Sequence, residues 1–316
     1  MTSINTVLGP MDSADMGFTL MHEHLLVAAP GVYRDYPEIL GENLLDQAVA
    51  ALKKAKAGGV DTILDATTLD LGRNVELMAE AAQQSGVNII ACAGWWLDIP
   101  RFLEGVSPDL LAKAFIREIE VGIAGTDIKA GILKSASDLD GVSPGAEVML
   151  KAIARAHHET GVPIMIHSYP AGQVGRQQLE ILEAEGVDPK RVKVDHSNDT
   201  TDVEYLSWLL DHGCFLGLDR YPGRNVSHRA RTNTLKALID LGYIERLCPS
   251  HDHIVLRPQT DETGILSSPE EQQKFNPHGY LFIKNVVFEQ LKEMGTTPED
   301  LDRLCVTGPK NFYEGS

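Results

Sequence analysis

Short apolar runs alternate along the chain with longer amphipathic stretches. Eight runs are rich in apolar residues and are bounded by turn or polar residues, a pattern that predicts strands. They are GFTLMH, VDTILDATT, VNIIACAG, IKAGILK, VPIMIHS, RVKVDHS, CFLGLD and RLCPSHD. Between them lie helical patterns such as NLLDQAVAALKKAKAGG and EVMLKAIARAHHETG, several of which end in glycine as helices commonly do. The alternation predicts an α/β fold, a (β/α)8 TIM barrel, because right-handed crossovers build a parallel sheet that closes at eight strands.

Polar side chains stand at the C-terminal ends of most of these predicted strands. They are His22, His24, Asp65, Lys134, His167, His196, Asp219 and Asp252. The C-terminal strand ends of a parallel barrel meet at one face, and the active site of such barrels lies there. Residues that are far apart in the sequence are therefore expected to converge at this face.

The first strand ends in HEHL, which places His22 and His24 one residue apart. Residues i and i+2 of a strand point to the same face, so both imidazoles can bind one ion. The pair alone is a weak signal, because a histidine at a strand end is more often only hydrogen-bonded. With further histidines and an aspartate at the same face, it favours zinc or a neighbouring metal. Lys134 is the exception, since an ammonium beside divalent cations would be repelled and would have to lose its proton.

Length, charge and cysteine content limit the class of protein. A chain of 316 residues suits one barrel domain over residues 1–316 as well as two average domains, and the strand–helix pattern favours the single barrel. The net charge of −17 disfavours nucleic acids and anionic membranes as partners. The N-terminal segment lacks the features of a secretion signal, so we expect a cytoplasmic protein. We expect a small-molecule substrate as its partner and leave a homodimer open. Four cysteines without a C-x-x-C pair are expected to be reduced and buried.

Six segments together resemble the phosphotriesterase family of the amidohydrolase superfamily, over about residues 15–312. They are HEHL, AGILK, IHS, DHSND, GLDR and SHD, at the first and the fourth to eighth strands. The resemblance implies a binuclear metal centre with these ligands: His22, His24, Lys134, His167, His196 and Asp252. The first two histidines and Asp252 would bind the more buried ion, and His167 and His196 the more exposed one. Lys134, carboxylated to N6-carboxylysine, would bridge the two divalent ions. The first candidate for these ions is Zn²⁺, and Mn²⁺, Co²⁺ or Fe²⁺ are the alternatives.

The same resemblance implies hydrolysis by a hydroxide that bridges the two ions and attacks a polarised C=O or P=O group. Asp252 would accept the proton and pass it outward through Asp199, which matches an acid of the family. Arg220 stands where lactonase-like members carry arginine and organophosphate-type members carry histidine. We therefore expect catalytic roles for Asp252, Asp199 and Arg220.

The sequence predicts the type of reaction more closely than it predicts the substrate. Trp96 matches a pocket aromatic of the phosphotriesterases, although core packing is the default for tryptophan. The segment from about His253 to Phe275 is predicted to be a long irregular loop that selects substrate. The candidate pocket residues are Trp95, Trp96, Arg220, His253 and Arg257. We expect a lactone or carboxylic ester; a phosphotriester is the alternative, and a metal-bearing barrel that binds a small molecule without turnover is the third hypothesis.

Two further motifs have structural interpretations. GVSPG fits the G-x-S-x-G pattern of serine hydrolases, but Ser143 follows a polar stretch and precedes Pro144, which predicts a helix N-cap. His251 and His253 flank Asp252, and in a strand their side chains would point away from its own. We therefore expect these two histidines to pack or to support the site and not to bind metal.

Overall fold

Parallel strands alternate with helices in the order that the sequence predicts. The computed structural model describes residues 2–97, 99–103, 105–258 and 269–315, apart from the side chains of residues 269 and 270. An antiparallel hairpin of β1 (Ser3–Thr6) and β2 (Gly9–Asp12) precedes the parallel sheet. The eight predicted strands are β3 (Thr19–Leu26), β4 (Thr62–Asp65), β5 (Asn88–Gly94), β6 (Ile132–Ala136), β7 (Ile164–His167), β8 (Val192–Val194), β9 (Phe215–Leu218) and β10 (Leu247–Pro249).

The end of the eighth strand closes the barrel. β10 pairs with β9, and the chain then continues as β11 (Ile254–Leu256), which pairs in parallel with β3. Between these strands the amide of Asp252 donates to the His22 carbonyl at 3.1 Å, and the His24 amide donates to the His253 carbonyl at 3.0 Å. Asp252 has a φ of 51°, in the left-handed region, which interrupts the strand. The fold is the predicted (β/α)8 TIM barrel, with irregular backbone where its first and last strands meet.

Helices surround the sheet. They are α1 (Val32–Asp35), α2 (Leu44–Ala57), α3 (Val75–Ser85), α4 (Pro108–Glu120), α5 (Pro144–Thr160), α6 (Val174–Ala184), α7 (Val203–Asp211), α8 (His228–Asp240), α9 (Pro269–Phe275), α10 (Phe288–Glu293), α11 (Pro298–Asp302) and α12 (Gly308–Glu314). The Ser143 hydroxyl accepts from the Ala146 amide at 3.2 Å, and Pro144 is the first residue of α5. The N-cap predicted for GVSPG is thus confirmed. No helix in the described part of the chain combines the length and apolar character needed to cross a bilayer.

Two apolar clusters form the core. The larger one joins outward-facing strand residues to the helices, for example Leu20 and Ile63 to Leu52. The smaller one fills the barrel and includes Met165 of β7 and Phe215 of β9. Between these two strands Lys193 of β8 lies in register with both residues and is fully buried, so a cation stands among apolar side chains. All four cysteines are free and buried, as predicted.

The segment after the eighth strand is more regular than predicted. Residues 254–256 form β11 and residues 269–275 form α9, so the prediction of an irregular loop is wrong for these parts. β3 has eight residues and β10 only three, and it is β11 that pairs with the second half of β3, at His24 and Leu26. Residues 259–268 of the predicted loop lie outside the described residues.

Candidate metal centre

Three predicted ligands place their donor atoms around one point. Asp252 Oδ1 lies 3.4 Å from Nε2 of His22 and 3.2 Å from Nε2 of His24. The two histidines project to the same face because they alternate along β3. Asp252 reaches them from the interrupted end of the eighth strand, where its left-handed φ redirects the chain. Two imidazoles and one carboxylate meeting in this way suit a divalent transition metal.

The other ring nitrogens of these two histidines lie close to oxygen atoms. His24 Nδ1 lies 2.8 Å from Thr67 Oγ1, while His22 Nδ1 lies 3.1 Å from Asp195 Oδ2 and 3.2 Å from Asp219 Oδ2. Burial lowers the pKa of His22, but the two carboxylates together outweigh burial and raise it to about 9. Partners of this kind fix the ring and leave Nε2 to face the site, which is the usual arrangement of a metal-binding histidine.

His167 and His196 form a second pair. Nδ1 of His167 lies 2.7 Å from Nε2 of His196. Burial lowers the pKa of both rings, and that of His196 lies well below its ordinary value. The rings are therefore neutral, which is the form in which imidazole binds metals. His196 has a φ of 61°, and both its amide and its Nδ1 contact Asp219, at 3.0 and 2.9 Å.

Lys134 lies in electrostatic contact with both histidine pairs. Its side chain is buried, and Nζ donates to the Ala66 carbonyl at 2.7 Å. Burial is the largest cause that lowers the pKa of His24 and of His167, and the positive charge of Lys134 lowers both further. An ammonium in this position would oppose cation binding, whereas a carbamate would favour it. The carboxylation of Lys134 stays a prediction.

Two groups of three residues in the described part of the chain could each hold an ion, with ligand atoms within 4.8 Å of one another. They are His22, His196 and Asp252, and His22, Asp195 and Asp219. Nδ1 of His22 and Oδ2 of Asp195 are buried and lie close together, but without the alignment of a hydrogen bond. Buried polar atoms of this kind normally have a partner. The residues present therefore fit a bound metal.

Asp195 was not predicted from the sequence. It directly precedes His196, and in a continuous strand the two side chains would point to opposite faces. The left-handed backbone of His196 brings both to the same centre. Asp195 is fully buried and forms an ion pair with Lys193 Nζ. A signal was available in RVKVDHS, where Lys193 and Asp195 are two residues apart and so share a face.

Asp195→Asn is expected to weaken metal binding by about 10–100-fold, because the amide is a poorer partner for His22 Nδ1 than a carboxylate. Competition with a chelator, followed by measurement of the metal content, would give the affinity. Asp240→Asn on the surface of α8 is the control. The double variant Lys193→Met with Asp195→Asn removes both buried charges and separates the effect on His22 from that of an unpaired lysine. Unchanged affinity in Asp195→Asn would contradict the positioning role.

Glu23 is a second buried carboxylate that the sequence analysis did not single out. It accepts from the Ser250 hydroxyl at 2.7 Å and from the amides of His251 and His253 at 3.1 and 3.0 Å. The His251 ring also contacts Glu23, with Nδ1 2.6 Å from Oε1. Residues 250–253 are not a strand, so the alternation assumed for the two histidines does not apply, yet His251 has a supporting role as expected.

Arg220 lies between Asp252 and Asp199. Its Nε donates to Asp252 Oδ2 at 3.2 Å, and its Nη1 donates to Asp199 Oδ2 at 2.6 Å. Burial lowers the pKa of Arg220, but the two carboxylates outweigh it and raise the pKa above its ordinary value. Since an arginine does not release its proton, it is not a relay. The proton transfer from Asp252 to Asp199 stays a prediction, in which Arg220 would orient both carboxylates.

The candidate pocket residues do not all line the same cavity. Arg220 and Arg257 line a cavity of about 340 Å³ together with Asp199 and Asp252. The His253 ring packs edge-to-face on Tyr280, with ring centroids 5.1 Å apart, and lines a neighbouring cavity. Among the described residues, His253 is thus not part of the lining around Asp252.

The two tryptophans also differ. Trp96 Nε1 donates to His167 Nδ1 at 3.3 Å, and its ring stands edge-to-face to that histidine. Its amide donates to Asp70 Oδ1 at 3.0 Å. Trp95 is partly buried against the larger apolar core. Trp96 therefore borders the candidate metal centre, whereas Trp95 has the packing role that is the default for this residue type.

The fold and the ligand groups define a class of protein, a (β/α)8 barrel with a candidate metal centre at the C-terminal ends of its strands. The sequence model of the phosphotriesterase family matches residues 2–313, so the chain belongs to this family. It is 37% identical over 327 aligned positions to the phosphotriesterase homology protein of Mycobacterium tuberculosis, with 99% of this chain and 98% of the relative covered. It is 35% identical over 312 positions to the aryldialkylphosphatase of Saccharolobus solfataricus, with 96% of each chain covered.

A more distant relative carries a different name. The N-acetyltaurine hydrolase of Mus musculus is 26% identical over 353 aligned positions, with 98% of this chain and 97% of the relative covered. The family predicted from the six sequence segments is thus confirmed, and the chain is a metal-dependent hydrolase.

Proposed function

We propose that the protein is a binuclear metal-dependent hydrolase that cleaves an ester-like bond, with a lactone or carboxylic ester as the first substrate class. One observation carries this proposal: Asp252 directs Oδ1 to the Nε2 atoms of His22 and His24, while Arg220 holds its Oδ2. A carboxylate placed in this way can act as a ligand and as a proton acceptor at the same point. Divalent cations, when bound, would polarise the scissile carbonyl and make a water molecule acidic.

The residues of the chain have separate roles in this proposal. Burial raises the pKa of Asp252, but the charge of His22, the hydrogen bond with His24 and the charge of Arg220 together outweigh burial and hold the pKa well below its usual range. The carboxylate is therefore charged and able to accept a proton. Arg220 orients it, and the neutral rings of His167 and His196 offer a second pair of nitrogen donors. Lys134, as N6-carboxylysine, would join the two ligand groups.

Phosphotriester hydrolysis is the second candidate function. The 35% identity to an aryldialkylphosphatase over nearly the whole chain supports it. Arg220 supports lactone hydrolysis instead, because lactonase-like members of the family carry arginine at this position, as the sequence resemblance implies. Both reactions need attack on a polarised centre, so the ligand set serves either one.

A substrate panel would test the proposal. The protein, loaded with Zn²⁺ or Mn²⁺ in the presence of bicarbonate, is assayed with lactones, aryl esters and paraoxon-like triesters. We expect a higher kcat/KM for lactones or esters than for triesters, and loss of all turnover after treatment with a chelator. A higher kcat/KM for triesters would favour the second candidate. No turnover of any compound by protein that retains two ions would contradict both and favour a binding protein without catalysis.

A further inference from the structure

The cavity that contains Asp252 is rich in arginine, although the protein has a net charge of −17. The four arginines in its lining are Arg220, Arg224, Arg231 and Arg257. Building on the proposed hydrolase, we propose that the substrate is an ester that also bears a carboxylate, and that Arg257 binds this carboxylate and determines specificity. Among the described arginines of this lining, the contacts of Arg220, Arg231 and Arg257 lead to this assignment.

Two of the four arginines are neutralised within the protein. Arg220 bonds to Asp252 and Asp199 at 3.2 and 2.6 Å. Arg231, almost fully buried, bonds to Asp199 Oδ1 at 2.5 Å and to the carbonyl of Asn198 at 2.6 Å. These guanidinium groups hold the acidic residues of the cavity in place. They are therefore poor candidates for binding a charged substrate.

Arg257 differs from these two arginines. Only 7% of the residue is exposed, yet no hydrogen bond or ion pair joins its guanidinium to another residue of the described chain. Arginine is rarely buried without a partner, because five N–H donors lose their water. Burial and the positive charge of Arg224 both lower the pKa of Arg257, and no carboxylate of the described residues offsets them. A ligand with a negative group would satisfy both the charge and the donors.

The geometry of the guanidinium and the walls of the cavity define the ligand further. A planar guanidinium matches a carboxylate through two parallel hydrogen bonds. The wall also contains Tyr221, Pro222, Ile254 and Phe275, and the Arg224 guanidinium lies over the Phe275 ring at 4.8 Å. These apolar groups suit a short hydrocarbon chain between the ester and the carboxylate.

The test compares two 4-nitrophenyl esters that differ only in charge. Mono(4-nitrophenyl) glutarate carries a free carboxylate, and its methyl ester is the neutral control; release of 4-nitrophenolate is corrected for the rate without enzyme. We expect kcat/KM to favour the anionic ester by about tenfold or more, mainly through KM, because the carboxylate is bound equally in ground and transition states. Arg257→Gln should abolish this preference, and Arg257→Lys should retain part of it.

Arg34→Gln is the matched control, since the Arg34 side chain is 82% exposed and pairs with Asp35. Equal kcat/KM for the two esters, or the same preference in Arg257→Gln as in the wild type, would overturn the proposal while leaving the hydrolase intact. If neither ester is cleaved by protein with two bound ions, the substrate panel decides the proposed function, and calorimetry tests the specificity independently. Tighter binding of monomethyl glutarate than of dimethyl glutarate, lost in Arg257→Gln, supports the anionic ligand, and equal binding overturns it.

Discussion

Replacing Asp252 by asparagine is expected to lower kcat/KM for the best ester substrate by about 10²–10⁴-fold. The amide retains an oxygen at the same place but has no negative charge and does not accept a proton. It also offers a weaker ligand to a cation beside His22 and His24. The measurement is the turnover of the best substrate from the panel, with the metal content determined on the same sample.

Asparagine is the appropriate replacement because Asp252 has a φ of 51°. Asparagine tolerates the left-handed region better than most residues, so the backbone that joins the first and last strands is preserved. Alanine at this position would add strain and confuse the interpretation. Asp35→Asn, in the short exposed helix α1, is the control for the change of an acid to an amide. Full turnover in Asp252→Asn would eliminate the residue as the proton acceptor.

Lys134→Ala is expected to abolish the retention of two metal ions and with it all activity. The side chain is the only ligand predicted to join the two histidine pairs, and because it is almost fully buried, its removal leaves a buried gap. A short-chain carboxylic acid is small enough to enter this gap and supply the missing carboxylate. We therefore expect partial recovery of both metal content and turnover when the acid is added. The metal content per chain, measured with and without the acid, is the direct test.

Lys292→Ala is the control for this variant, because the Lys292 side chain is 47% exposed and pairs only with Glu289 among the described residues. It should retain the metal content and activity of the wild type. Two ions per chain in Lys134→Ala without added acid would show that the predicted bridging ligand is not needed.

The strands and the convergence of their ends were predictable because they depend on local periodicity and on the rule that parallel strands end at one face. Each of the eight apolar runs overlaps a strand, and His22, His24 and Asp252 meet as expected. The N-cap at Ser143 followed from equally local chemistry.

The details that were missed depend on tertiary context. His196 and Asp252 both have positive φ, and neither is a glycine whose presence would signal this conformation. The approach of Asp195 to His22 in the candidate metal centre accompanies the first of these backbone angles. Similarly, the position of Arg220 between two carboxylates is set by three separate strand ends, so spacing along the sequence gives no sign of it.

The bonds of Glu23 to the chain around Asp252 have a consequence for biosynthesis. Glu23 lies between the two histidines of β3 and receives amides from both neighbours of Asp252, so the carboxylate of Asp252 arrives only when the last strand docks on the first. Nascent chains that still lack residues 250–256 have the two N-terminal histidines but not the acid that completes their group. The complete ligand group of His22, His24 and Asp252 should therefore form only after residues 250–256 have been synthesised and have docked on β3.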